Sequence, residues 1–446
     1  MGKCYYKWEE WDEKTNRFIW RQCSESIWEG SSHFCIFHDP SRKKDLDLFR
    51  QRLEEKIESE SKSERYCFVG YRFPEGCGSF DKREFNVDVD LRGAIFKDVY
   101  FRGAIFHGHA YFRGAIFHGH AYFNEAIFKD AYFNEAIFKD AYFNEAIFKD
   151  AYFRGAIFHG HASFNGTTFQ NAYFNGTTFQ NAYFNGTTFQ NAYFNGTTFQ
   201  NAYFNGTTFQ NAYFEGAVIK EDVELVPNRV EYLNLQNAKF FFGGSITVDP
   251  TKAKFHRAYL ENVSFINCNW PRKIYEEVHM KDKDVDLSFK ELETIYRNLK
   301  QNMQRHGDYS QAGEFYFREM ECKKKALRKK KFSPDWFKSF GYSLLKYTCG
   351  YGEKPERTAF SSLFTILGFA LLYWTSECLQ YPMENPTIFQ KIESTIYFSF
   401  VTFTTLGLGD IHPLTRLGRT LICCEAVIGA FLIALFVVVF AKKMMR

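Results

Sequence analysis

Three groups of residues have the types and spacing to do chemistry. In "TTLGLGD", residues 404–410, glycines alternate at Gly407 and Gly409. Glycine accepts the left-handed dihedrals that turn successive carbonyl oxygens toward one axis, and a ring of such oxygens can replace the water around a cation. A second glycine-rich stretch, "CGYGEKP" at 349–355, competes for the same reading. The third group is Cys4, Cys23, Cys35 and His38, in an aromatic, polar N-terminal segment that ends "HFCIFHDP". The Cys-x-x-His spacing of Cys35 and His38 is close to a structural zinc half-site, and two further thiolates would complete a tetrahedron. His33 is a spare candidate ligand. The long gaps between the cysteines leave ordinary buried thiols equally open.

Other chemistries find little support. Net charge is +4, from 56 Lys and Arg against 52 Asp and Glu, so bulk charge points to no nucleic-acid partner. No nucleophile–base constellation marks an enzyme. Neither "GYGEKP" nor "GLGDIH" has the third glycine or the strand–helix context of a dinucleotide loop. Eleven cysteines are scattered along a chain whose N-terminal stretch has no apolar run, so reduced thiols are expected rather than a disulfide scaffold.

The elements that must position these residues can be read from apolar runs and caps. Residues 358–375 carry no charge, and residues 420–441 are interrupted only by Glu425, so two membrane spans are expected. Lys and Arg crowd the basic tail 323–331 before the first span and Lys442, Lys443 and Arg446 after the second. Between the spans stand only Lys391, Arg416 and Arg419, so both termini are expected in the cytosol, with the basic tail near anionic membrane lipids. Residues 332–349, with Trp336, Phe337, Phe340 and Leu344, read as a helix lying on the membrane surface. Upstream, residues 284–331 read as a helical hairpin, with Ser288 and Glu291 as a capping box and Asp308 capping the second helix. Residues 46–66 read as a charged, solvated helix.

This frame separates the two glycine stretches. "CGYGEKP" precedes both spans and is expected to be a turn into the first. "TTLGLGD" lies between them, behind an amphipathic stretch from Phe389 to Phe403 long enough to enter the membrane part-way. Irregular backbone at that depth is tolerated where protein buries it or it lines a watery path. Glu425, an ionisable group inside a span, is a functional candidate. It either lines a cavity and concentrates cations, or holds the inner helix to the pore helix by hydrogen bonds. Cys423 and Cys424 are expected to be small packing residues.

From Phe389 to Ala441 the sequence resembles the potassium-channel pore-loop family, whose pattern is Thr-Thr-Val-Gly-Tyr-Gly-Asp between two spans. The resemblance implies a selectivity filter at Thr405, Leu406, Gly407, Leu408 and Gly409 with Asp410 at its mouth. It further implies K+ as the permeant ion and a homotetramer around one axis. Pro413 and Gly418 match the turn into the inner helix, and Gly429 matches the glycine about which that helix bends on opening. Leu406 replaces Val. Leu408 replaces Tyr, keeping volume behind the filter beside Tyr397 and Phe398 but losing a hydroxyl. Conduction is expected, and potassium over sodium is the property this exchange touches.

The remaining chemistry is repetition. From Phe96 to Phe214 a Phe recurs every five residues, with three six-residue steps that each contain "HGH", and a small residue stands two positions before each Phe. "NEAIFKDAYF" occurs three times and "NGTTFQNAYF" five times. A fixed short period means a solenoid. These residues resemble the pentapeptide-repeat family, which implies a right-handed quadrilateral β-helix with inward Phe ladders. About 36 units make about nine coils, ~43 Å long at ~4.8 Å per coil. The HGH histidines fall on opposite faces or two coils apart, so they are not expected to gather on an ion. The Asn-Gly-Thr sequons are expected to be inert.

The expected chain is therefore multidomain. Residues 1–79 form a Cys/His segment and 80–270 a pentapeptide-repeat β-helix. A helical hairpin connector follows at 271–335, and an α-helical two-span channel pore domain occupies 336–446 of the cell membrane protein. The β-helix would regulate the pore or bind a cytosolic protein partner. The competing reading is a membrane-anchored interaction scaffold that conducts no ions.

Overall fold

The computed structural model describes residues 2–12, 15–41, 43–61, 63–282, 287–327, 333–381 and 386–445. Arg328, Lys329, Lys330 and Lys331 of the basic tail, and Arg446, lie outside the described residues. The chain divides into two compact units, residues 1–286 and 287–446.

The first unit is a β-solenoid of about 10 turns over residues 65–265. Its strands run parallel and alternate between two sheets, so Phe128 lies over Phe148 in one and Phe117 over Phe138 in the other. Successive coils stack the phenylalanines face to face. One ladder runs Phe112, Phe133, Phe153, Phe174, Phe194, Phe214, with ring centroids 4.6–5.0 Å apart. Equivalent ladders start at Phe73, Phe80 and Phe85. Four ladders meeting edge to face fill the interior, which explains both the aromatic content and the five-residue period. The later coils put Thr where earlier ones put Ala. Each buried hydroxyl is satisfied across a coil, as when Thr167 Oγ1 donates to the Phe143 carbonyl oxygen at 2.7 Å.

The solenoid begins earlier than the five-residue spacing announces. Arg65–Cys67 and Arg72–Phe73 already pair with the coil above them. The chain then takes seven residues from Phe73 to Phe80, which hides this coil from a period of five. Before it come a hairpin of β1 (Lys7–Asp12) and β2 (Arg17–Gln22), then α1 (Leu46–Glu60). Helix α1 is not solvated all round: Phe49, Leu53 and Ile57 are buried, and the Phe49 ring packs on Phe37 and Phe73. At the other end of the unit, the short α2 (Tyr275–Val278) carries Glu276, whose carboxylate accepts from the Phe255 backbone N–H.

The second unit opens with α3 (Phe289–Arg305) and α4 (Tyr309–Ala326), capped by the Ser288–Glu291 box and by Asp308. Then come α5 (Pro334–Cys349), α6 (Pro355–Ser376), α7 (Ile388–Phe403) and α8 (Arg416–Met444). Helices α6 and α8 are long and apolar enough to cross a membrane. Along α5, Phe337, Phe340, Leu344 and Tyr347 are exposed.

Candidate pore and metal-ligand sites

The segment between α6 and α8 is built from α7 and an extended loop. Thr387 and Gln390 form a capping box that starts α7, and Leu406 N–H donates to the Val401 carbonyl at 3.0 Å where the helix ends. Beyond that point φ is positive at alternate residues: +60° at Thr405, +58° at Gly407 and +80° at Gly409. The two glycines supply this conformation freely. Thr405 adopts it as well, which nothing in its residue type announces. From Thr405 to Asp410 the loop is exposed in a single chain, and Leu406 and Leu408 are each 64% exposed.

The family position of Leu408 implied packing beside Tyr397 and Phe398. Phe398 is buried with its ring against Tyr373, 5.2 Å between centroids, and the Tyr397 hydroxyl lies within hydrogen-bonding reach of Asp410. Leu408 borders a cavity of about 290 Å³ with Phe398, Val401, Ile411, Ile422 and Ala426 among its walls.

Helix α8 is tied to this loop from behind. Glu425 is fully buried, and its carboxylate accepts from the Tyr373 hydroxyl of α6 at 2.7 Å and from Ser399 Oγ of α7. Ser399 Oγ also lies 2.8 Å from the Ile366 carbonyl oxygen. Of the two readings of Glu425, the geometry is that of a group joining three helices of its own chain. Gly429 is buried against the end of α7, where a Cβ would stand 2.3 Å from the Phe403 carbonyl oxygen. Cys423 and Cys424, expected to pack, are exposed in the single chain. Where α6 ends and α8 begins, Leu379–Gln380 pairs antiparallel with His412–Pro413, and Leu414 N–H donates to the Cys378 carbonyl at 2.8 Å.

The "GYG" triplet is a turn between α5 and α6, with positive φ at Gly350, Tyr351 and Gly352. Tyr351 is buried and donates to Glu321 of α4 at 2.6 Å, and Lys346 donates to the same carboxylate at 2.6 Å. Burial opposes ionisation of Glu321, but the bonds from Lys346 and Tyr351 outweigh it and hold the carboxyl below its usual range. Nearby, Lys442 at the end of α8 reaches Glu353 at 2.6 Å and lies over the Tyr316 ring of α4 at 5.2 Å. These long-range pairs were not legible as a site in the sequence.

Residues 370–446 match the ion channel family model, and five overlapping stretches within 80–226 match the pentapeptide-repeat model. The chain joins an ion-channel domain to pentapeptide repeats. Neither family is one of enzymes. Among solved structures, the channel chain is similar to HetL, a pentapeptide repeat protein involved in heterocyst differentiation regulation from the cyanobacterium Nostoc sp. strain PCC 7120. That likeness is 12% in identity with a TM-score of 0.17, over 49% of this chain and 97% of that one. None of the curated proteins matches.

In the other unit, Cys4, Cys23, Cys35 and His38 come together, with their ligand atoms all within 4.8 Å of one another and all four residues buried. His33 is not among them. The HGH histidines stay apart: His109 lies in one sheet, while His120 and His161 lie in the other, two coils apart.

Proposed function

We propose that four copies of this chain surround one axis and form a potassium-selective channel. The observation that carries the reading is the alternation of positive φ at Thr405, Gly407 and Gly409 between two apolar spans. One chain offers a single column of carbonyl oxygens, and a dehydrated cation needs a ring of them. Four columns, from Thr405, Leu406, Gly407, Leu408 and Gly409, supply that ring. Asp410 stands at the mouth and attracts cations. The exposure of Leu406 and Leu408 fits neighbouring copies covering them.

The same reading places α6 and α8 across the cell membrane with both termini in the cytosol. Lys442 and Lys443 end α8, and Lys323, Lys324 and Lys325 end α4. Cations at these ends favour the inner, anionic leaflet. The connector α3–α4 touches the end of α8 through Tyr316 and Lys442, so movement of the hairpin is felt at the inner helix. The solenoid is the part of the chain available to a cytosolic protein partner.

Purified protein in liposomes, assayed for potassium and sodium flux, tests the proposal. Potassium flux abolished by Gly407→Val supports it. Absence of flux from a correctly assembled oligomer favours the membrane-anchored scaffold.

A further inference from the structure

The N-terminal hairpin has almost nothing apolar to hold it. Trp11, Phe18 and Trp20 are exposed, and among residues 2–34 the buried apolar side chains are Cys4 and Cys23 alone, of those described. A lone two-stranded hairpin is marginal in water. Cys4 precedes β1, Cys23 follows β2, and both meet the tight turn that carries Cys35 and His38.

The distances suit a tetrahedral metal. Cys23 Sγ and Cys35 Sγ are 3.9 Å apart, Cys4 Sγ is 3.7 Å from His38 Nδ1, and Cys35 Sγ is 3.1 Å from it. A zinc ion with Zn–S of about 2.3 Å and Zn–N of about 2.0 Å sets its ligands ~3.5–3.8 Å apart. The sulfurs are too far apart for a disulfide, whose S–S bond is about 2.05 Å. The imidazole is already oriented. His38 Nε2 lies 2.9 Å from the Val69 carbonyl oxygen, so Nε2 carries the proton and Nδ1 presents its lone pair to the thiols. The Tyr6 ring stacks on it at 4.0 Å.

The turn is also joined to the first coil of the solenoid. Arg72 N–H donates to the Phe37 carbonyl at 2.8 Å, and the Phe37 and Tyr71 rings stack at 4.4 Å. Arg65–Cys67 and Arg72–Phe73 are the outermost strands of the two sheets at this end. Unpaired sheet edges recruit other chains and must be covered.

We propose that Cys4, Cys23, Cys35 and His38 bind a structural zinc ion that pins the N-terminal hairpin over the open end of the solenoid. The ion cross-links three segments that share no apolar core and hands their hold to Val69 through His38. The cap is independent of ion conduction.

The test uses the full-length protein in detergent, with metal content and amide hydrogen exchange as readouts. Stoichiometric zinc is expected, lost in Cys35→Ser and retained in His38→Cys, which keeps four ligands. Cobalt substitution gives the visible bands of tetrahedral thiolate coordination. Removing zinc with a chelator speeds exchange across residues 2–41 and at Arg65–Phe73 by more than about tenfold, while α6 and α8 are unchanged. Wild-type protein without stoichiometric metal overturns the site. Exchange at Arg65–Phe73 that ignores chelation overturns the cap.

Discussion

Gly429 of the inner helix lies directly against the carbonyl of Phe403, the last residue of α7: a Cβ there would approach the oxygen to 2.3 Å. Helix α8 therefore touches the end of α7, just before the Thr405–Gly409 loop, with no side chain between. Gly429→Ala pushes the two apart at a cost of about 1–3 kcal/mol. Cation flux and the unfolding temperature of the oligomer both fall, and an unchanged flux would show that the contact is not kept in the conducting state.

Glu425 separates two roles by simple substitution. As a joint between α6, α7 and α8, it is served by Gln, which keeps the shape and much of the hydrogen bonding. Glu425→Gln should conduct nearly as well as wild type, whereas Glu425→Leu leaves Tyr373 and Ser399 with reduced partners and destabilises the unit by about 1–3 kcal/mol. Flux across a potassium gradient and thermal unfolding measure both. A large loss of conductance in the Gln variant, without loss of stability, would instead mark a charge felt by the ion.

The solenoid carries a pH dependence at its C-terminal end. Burial pushes Glu276 up to about 7 from an ordinary value of 4.5, against the lowering effect of backbone N–H groups including that of Phe255. Below the ordinary value the carboxyl is protonated in both folded and unfolded chains. As pH rises through the folded value the unfolded chain gives up its proton more readily, so stability is lost, by about 3 kcal/mol in all. Unfolding of the solenoid's last coils, followed by hydrogen exchange between about pH 5 and about pH 8, should show this decline, and Glu276→Gln should flatten it.

Lys442 and Glu353 are expected to act as one unit at the C-terminal end of α8. The lysine is partly exposed, so the pair contributes about 1 kcal/mol or less to stability. Its effect is sought in gating: Lys442→Met and Glu353→Gln should each shift the open fraction in single-channel records, and the double variant should match either alone. Additive shifts would mean that the two residues act separately.

A backbone prediction follows from the solenoid's turns. Glu125 sits at φ +59°, where the preceding coil uses Gly103 and the following coil Glu145, also at +59°. Glu125→Gly relieves this conformation and should stabilise the solenoid by up to about 1 kcal/mol, read as a higher unfolding temperature.

Much of this architecture is visible in the sequence because it is local or periodic. The Phe period announces the solenoid, the capping residues Ser288 and Asp308 announce α3 and α4, and apolar length announces α6 and α8. The first coil is hidden because its seven-residue step from Phe73 to Phe80 breaks the period. The buried face of α1 is hidden because Phe49, Leu53 and Ile57 are diluted among charges. Gly407 and Gly409 mark the left-handed positions of the loop by residue type, whereas the left-handed Thr405 between them and α7 does not. Pairs such as Tyr373 with Glu425, or Lys442 with Glu353, depend on which helix faces meet, and no short spacing encodes that.

The carbonyl column from Thr405 to Gly409 is proposed to conduct a dehydrated cation. Potassium and sodium flux through the purified oligomer in liposomes, compared with Gly409→Ala, tests it most directly. The account predicts potassium flux well above sodium flux, lost in the variant, from particles with four copies of the chain. Flux that is absent, or that passes unchanged through Gly409→Ala, would contradict it.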